Sequence, residues 1–166
     1  MWETSSGRTR GELLEIIGCF AEPIGNFDSD ILTEIEGLAN GSQLSVPEVL
    51  VVNGRYEIML STVFAAEPRR MAECTSIGAD AEVTSGGHTI LGQNWDWVVP
   101  VRDVSVVLEV QQENAPDLIT HVEAGFLGHK GLNSEGLALC ANAMGSQHDC
   151  FRAAVPVWVL ARAALN

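Results

Sequence analysis

The chain has 166 residues, 46% of them hydrophobic, and a formal net charge of −13 from 22 acidic against 9 basic residues. That length suits one domain with a real core, and the charge excludes nonspecific nucleic-acid binding and an anionic membrane surface as partners. Four cysteines without a CxxC pair argue against a cysteine-built zinc site or a disulfide framework, and buried free thiols are the expectation.

The first ten residues are polar and lack the apolar core of a signal peptide, and no run approaches the roughly 18 apolar residues of a membrane helix. A cytoplasmic protein is the expectation. Leu13, Leu14, Ile16, Ile17 and Phe20 predict an amphipathic helix, with residues 23–28 as a break. A second helix starts near Asp30, carries Ile31, Ile35 and Leu38 on one face, and stops at Asn40-Gly41. Ser45 reads as an N-cap, with Pro47 in the first turn and Glu48 completing a capping box. That third helix is expected to run through Gly54 toward Met59. Residues 65–72 form a charged, small-residue link.

The period then changes. Residues 75–79, 88–93, 104–111, 118–125 and 136–141 are predicted strands, separated by turns at Gly86-Gly87, 114–116 and 133–136. The tract 125–131 lacks the spacing of a phosphate loop and reads as a turn between two strands. Residues 153–165 form an apolar helix-like run without a stop signal, so a longer protein is expected. The pattern predicts an α+β fold: helices, then an antiparallel sheet, then a helix.

Cys74 is the nucleophile candidate, because it follows the charged link and precedes Thr75, Ser76 and a glycine at 78. Cys19, Cys140 and Cys150 sit among apolar or small residues and read as structural; a half-buried structural role is the plain alternative for Cys74 too. A thiol needs a base. One route is a histidine, with His88, His121, His129 and His148 all open. The other is the α-amine of Cys74 itself, released by cleavage after Glu73; its ordinary pKa of about 7.7–8.0 suits proton transfer near neutrality. Asp96 closes the next polar stretch, with a turn or cap role as its alternative. Trp95 and Trp97 straddle it, share one face of an extended segment, and would line an acyl pocket or simply pack. Lys130 is the only lysine.

Several segments in order resemble the acyl-coenzyme A:6-aminopenicillanic acid acyltransferase family. They are residues 34–39 and 45–57, Cys74-Thr75-Ser76, Gly92-Gln93-Asn94-Trp95-Asp96, Glu123-Ala124-Gly125, Gly128, Gly131, Asn133-Ser134 and Gly136-Leu137. The resemblance implies an N-terminal-nucleophile hydrolase fold, an αββα sandwich only partly present in this chain. It implies a propeptide-like region over 1–73 and the start of a catalytic region over 74–166, parted by self-cleavage between Glu73 and Cys74. Cys74 would be nucleophile and processing point, Asp96 a supporting catalytic residue, and Trp95 and Trp97 substrate-binding. No cofactor is implied; a coenzyme A thioester would enter as acyl-donor substrate. The partners implied are a small-molecule amide or acyl donor and the two self-cleaved fragments for each other. Two departures stand out: Glu73 replaces the glycine common before the cysteine, and the family's later asparagine and arginine would lie beyond Asn166. The alternatives are an unprocessed cysteine–histidine hydrolase and an acidic structural or interaction domain.

Overall fold

The computed structural model describes residues 8–62, 74–143 and 152–166. They fall into two compact units. The first takes 8–62, 125–127 and 152–164, and the second takes 74–124, 128–143 and 165–166.

The first unit is helical. Helix α1 (Arg10–Gly18) opens on a reciprocal box: Thr9 Oγ1 accepts the Glu12 N–H at 3.3 Å, and Glu12 Oε2 accepts the Thr9 N–H at 2.8 Å. Leu13, Ile17 and Phe20 recur at helical spacing and are buried. The break expected over 23–28 is instead helix α2 (Ala21–Phe27). Pro23 occupies its first turn, where a missing N–H costs nothing because that group has no intrahelical acceptor. The real break is the single residue Asp28. It is extended (φ −157°), and its carboxylate accepts the N–H groups of Asp30 and Ile31 at 2.9 and 3.1 Å, starting α3 (Ser29–Ser42).

Helix α3 buries Ile31, Ile35 and Ala39 and runs past Asn40-Gly41. It ends at Gln43, whose left-handed backbone (φ 59°) lets the Leu44 N–H reach the Ala39 carbonyl at 3.0 Å. Helix α4 (Val46–Asn53) carries the Ser45–Glu48 box that the sequence predicts. It does not continue through Gly54 as expected. Gly54 (φ −102°, ψ 16°) closes it, and α5 (Arg55–Thr62) follows. A side chain at Gly54 would lie 2.6 Å from Ile17 Cδ1, so the glycine is what allows α1 to pack this close. Leu13, Ile17, Phe20, Ile24, Ile31, Ile35, Leu50 and Ile58 join Leu127 and Val159 in one core. Each such aliphatic or aromatic side chain contributes about 1.5–3 kcal/mol by burial. Val159 belongs to the last helix, α6 (Val157–Leu165), whose first N–H donates to Glu57 Oε1 at 2.8 Å.

The second unit holds two antiparallel sheets. One is a hairpin of β1 (Thr75–Ala79) and β2 (Ile90–Asn94), running in register from Thr75 opposite Asn94 to Ala79 opposite Ile90. The other is β3 (Ser105–Val110), β4 (Leu118–Glu123), β5 (Lys130–Asn133) and β6 (Ala138–Leu139), in that spatial order. On β4, Leu118, Thr120 and Val122 alternate into the interior. Strands over 104–111, 118–125 and 136–141 are thus present but shorter than expected. Tract 125–131 is a turn only as far as 129, since β5 begins at Lys130. Its Gly131 and polar ends hide the alternation that identifies strands.

Gly131 faces Thr120 across the β4–β5 pair, and a Cβ there would lie 2.2 Å from the Ile119 carbonyl oxygen and 2.9 Å from Thr120 Cα. Those neighbours are backbone and cannot rotate away. Gly131→Val is expected to cost about 3 kcal/mol or more in urea unfolding, at the upper end of overpacking effects. Gly37→Ala in α3, where nothing lies within 4 Å of the added carbon, should instead stabilise by about 0.5–1 kcal/mol. Equal effects at the two sites would contradict the close approach of β4 and β5.

The protein is α+β, with helices from both ends of the chain and antiparallel sheets between them in sequence, consistent with a partial αββα arrangement. No helix among the described residues is long and apolar enough to cross a membrane.

Candidate active site

The hairpin register brings the sequence candidates to one place. Cys74 immediately precedes β1, Asp96 lies two residues past β2, and Thr75 pairs with Asn94. Both therefore sit at the same end of the hairpin. Cys74 is a half-buried free thiol and Asp96 is exposed. Cys140 is also half-buried and Cys19 exposed, while Cys150, Glu73 and His148 lie outside the described residues.

Trp95 and Trp97 share a side, as alternation requires, and their rings stack with centroids 6.4 Å apart and planes 10° off parallel. Trp95 is the hub of a larger cluster. His121 packs on it edge-on at 5.4 Å, His129 at 5.1 Å, and the Lys130 ammonium lies 3.7 Å from its ring centroid. Lys130 Nζ is 2.8 Å from His129 Nδ1. An ammonium can only donate, so that nitrogen accepts and the His129 proton belongs on Nε2. The sole lysine thus serves the tryptophan and a buried histidine.

A cavity of about 290 Å³ opens beside the indoles, lined by Trp95, Trp97, Val99, Arg102, Ser105 and His121 among others. Its walls are mostly apolar, with a guanidinium, a hydroxyl and an imidazole as polar points. Burial holds the His121 pKa below the ordinary histidine value, and the nearby Lys130 charge lowers it further against the opposing pull of Glu123. Its Nδ1 is shielded from solvent and has no hydrogen-bond partner among the described residues. Among the four histidines that the sequence leaves equivalent, the structure separates the three described ones. His88 follows the Gly86-Gly87 turn at the far end of the hairpin, and its carbonyl accepts from the Thr84 hydroxyl at 2.7 Å. His121 and His129 are the two against Trp95.

Ser76 and Gln93, named above only beside Cys74 or within the resemblance segments, and Asn142, which the sequence did not mark, complete the hairpin end. Asn142 Nδ2 donates to the Cys74 carbonyl at 2.9 Å, the Ser76 hydroxyl donates to Asn142 Oδ1, and the Gln93 carboxamide pairs with the Ala141 backbone. For Asn142 the available signal was an isolated asparagine between two alanines. Among the described residues, no group of three His, Cys, Asp or Glu side chains could hold a metal ion.

A half-buried thiol and an exposed carboxylate thus stand at one end of a hairpin in an α+β protein, with a mostly apolar cavity beside Trp95. No family model matches the sequence. Over 111 residues, 67% of this chain, it is 32% identical to the acyl-coenzyme A:6-aminopenicillanic-acid-acyltransferase 40 kDa form of Emericella nidulans. The matched stretch spans 29% of that relative's length. The chain is a distant homologue of an acyltransferase of the N-terminal-nucleophile hydrolase superfamily.

Proposed function

We propose that the chain carries the nucleophile of an autoprocessed cysteine amidohydrolase or N-acyltransferase that works through an acyl-thioester on Cys74. The observation that supports this best is the hairpin register, which joins a half-buried thiol to the polar end of β2, in a chain distantly homologous to an acyltransferase. Residues 1–73 would be the propeptide and 74–166 the start of the catalytic region.

Processing starts when Cys74 Sγ attacks the Glu73 carbonyl. The Glu73–Cys74 C–N bond breaks, its nitrogen takes up a proton, and the acyl group moves to sulfur. Water then hydrolyses that thioester, leaving the Glu73 carboxylate, the restored thiol and a free α-amine on Cys74. In turnover the α-amine takes the thiol proton as Sγ attacks the acyl donor, and the resulting ammonium protonates the leaving group. The acyl group next passes to water, giving an acid, or to a bound amine, giving a new amide. Asp96 supports the nucleophile region or contacts the acceptor amine, and Trp95 and Trp97 hold the acyl group. A coenzyme A thioester or a small amide fits as donor, with no cofactor called for, and the two fragments stay associated.

Intact mass of the full-length protein tests this: two fragments meeting at Glu73–Cys74, absent from Cys74→Ala, are expected. An uncleaved wild type that forms no acyl adduct on Cys74 would leave a structural or interaction domain as the better reading.

A second reading has its own observation. His121 lines the cavity, packs on Trp95 and is biased toward the neutral form a base requires. In an unprocessed cysteine–histidine hydrolase, His121→Asn would lower kcat by about a hundredfold or more, the usual scale of a general base. With the α-amine as base, the same variant should keep kcat within about threefold, a change small beside that scale. Steady-state kinetics on the folded variant separates the two.

A further inference from the structure

We propose that Asn142 is a positioning residue for the nucleophile: its side-chain amide, locked on one face of the β1–β2 hairpin, holds the Cys74 carbonyl. The inference rests on the acyl-thioester reading of Cys74 and adds to it a residue that acts only through Cys74.

Ser76 and Gln93 are direct cross-strand partners, so their side chains leave the hairpin on the same face. Residues 140–142 lie against that face. Gln93 Oε1 accepts the Ala141 N–H at 3.1 Å while Gln93 Nε2 donates to the Ala141 carbonyl. A primary amide used in this way replaces the peptide of a neighbouring strand. One residue earlier, the Cys140 thiol donates to the Gly92 carbonyl at 3.7 Å. Asn142 therefore arrives with its backbone already registered against β2.

Its side chain is then oriented from the other end. Asn142 Oδ1 accepts from the Ser76 hydroxyl and, at 3.4 Å, from Gln93 Nε2. That leaves Nδ2 to donate to the Cys74 carbonyl at 2.9 Å. The assignment of oxygen and nitrogen follows from chemistry, since a carbonyl can only accept and a hydroxyl can donate. Four polar groups converge, and each finds its complement.

Such a lock matters most for a residue in the position of Cys74. It lies one residue outside β1, and cleavage after Glu73 would make it a chain terminus, with no preceding peptide to restrain it. With the Cys74–Thr75 peptide group held, only rotations about Cα–C and Cα–Cβ separate the α-amine and the thiol from a fixed frame. Asn142 holds the Cys74 carbonyl, an atom that takes part in neither attack, so it positions rather than reacts. A misplacement of about 1 Å can cost a reaction about a hundredfold. Loss of one neutral hydrogen bond lets the terminus wander rather than displacing it outright, so about a tenfold loss is the expectation.

The test uses the full-length protein with p-nitrophenyl butyrate as acylating probe. Asn142→Asp keeps the size and the Oδ1 acceptor but sets a carboxylate oxygen against the Cys74 carbonyl. It should lower kcat about tenfold with KM within about twofold, and displace the pH profile of Cys74 alkylation by iodoacetamide. Ser76→Ala should give a smaller loss, and the double variant should be no slower than Asn142→Asp alone, because Ser76 acts through Asn142. Unchanged kcat and alkylation in Asn142→Asp, with an active wild type, overturns the inference and spares the acyl-thioester reading. So does a loss that merely tracks a lowered urea midpoint, the mark of a structural role. A wild type that forms no acyl-Cys74 overturns the acyl-thioester reading, and the positioning role falls with it. Should Asn142→Asp fail to fold, Ser76→Ala carries the decision, and an unchanged kcat there counts against the lock.

Discussion

Replacing Cys74 by alanine should abolish both self-cleavage and turnover, lowering acyl transfer to the probe by roughly a thousandfold or more, as removal of an attacking nucleophile does. Both losses follow from one atom, because the same sulfur attacks the Glu73 carbonyl and later the acyl donor. The fold should survive. Cys74 is half-buried, stands outside β1 and loses only its sulfur to a hydrogen, so it vacates little packed volume. Intact mass reads the cleavage, and release of p-nitrophenolate reads the turnover. Cys74→Ser separates the two further. Its hydroxyl can still attack, but more slowly, so partial cleavage after long incubation is expected with turnover well below wild type. Normal cleavage in Cys74→Ala would remove Cys74 as the processing residue. Normal cleavage with lost turnover would confine it to the acylation step.

Local features of the fold were legible because their causes are local. The Ser45–Glu48 box and Pro47 occupy four consecutive residues, and the hydrogen bonds they predict are those that form. Strand β1 matches its expected bounds because turn residues punctuate the sequence after it. Gly54 misled, since a single glycine inside a helical pattern is tolerated on propensity alone. What requires a glycine there is the approach of Ile17, 37 positions earlier in the chain. Strand β5 was hidden for the same kind of reason: Gly131 looks like a turn residue until the β4 backbone is placed beside it. At the site, Cys74, Trp95 and Asp96 could be picked out from their local sequence and the family resemblance, and one hairpin of neighbouring strands joins them. Asn142 could not, because its meaning depends on a contact 68 positions away. Short-range rules reach caps and turns, whereas close backbone approach and side-chain locks are properties of the assembled unit.

Asn53 makes the same point with the largest expected effect on stability. It is fully buried at the end of α4, and its side-chain nitrogen donates to the Val49 carbonyl at 3.1 Å and to the Gly125 carbonyl at 2.9 Å. Its Oδ1 accepts the N–H of Leu127, itself buried, at 3.0 Å. Gly125 has φ 92°, a backbone that forms no regular ladder, so its polar groups depend on such side-chain partners. Asn53→Ala leaves the Leu127 N–H and the Gly125 carbonyl without that partner in a dry interior, at about 1–3 kcal/mol for each stranded group. A loss of about 3 kcal/mol in urea unfolding is therefore expected at neutral pH. Asn53→Asp should be worse despite its closer shape. An ionised carboxylate would still accept from Leu127, but its second oxygen would face two carbonyl oxygens with no proton between them. Protonation relieves that contact by restoring one donor, so the folded-state pKa of the introduced acid would lie above its unfolded value. Its stability would then be greatest below the unfolded pKa and fall as pH rises through the folded one. Asn53→Asp should accordingly approach or pass Asn53→Ala in acid and drop below it toward neutrality. Parallel pH profiles for the two variants would show that Asn53 acts by filling space rather than by donating its amide hydrogens.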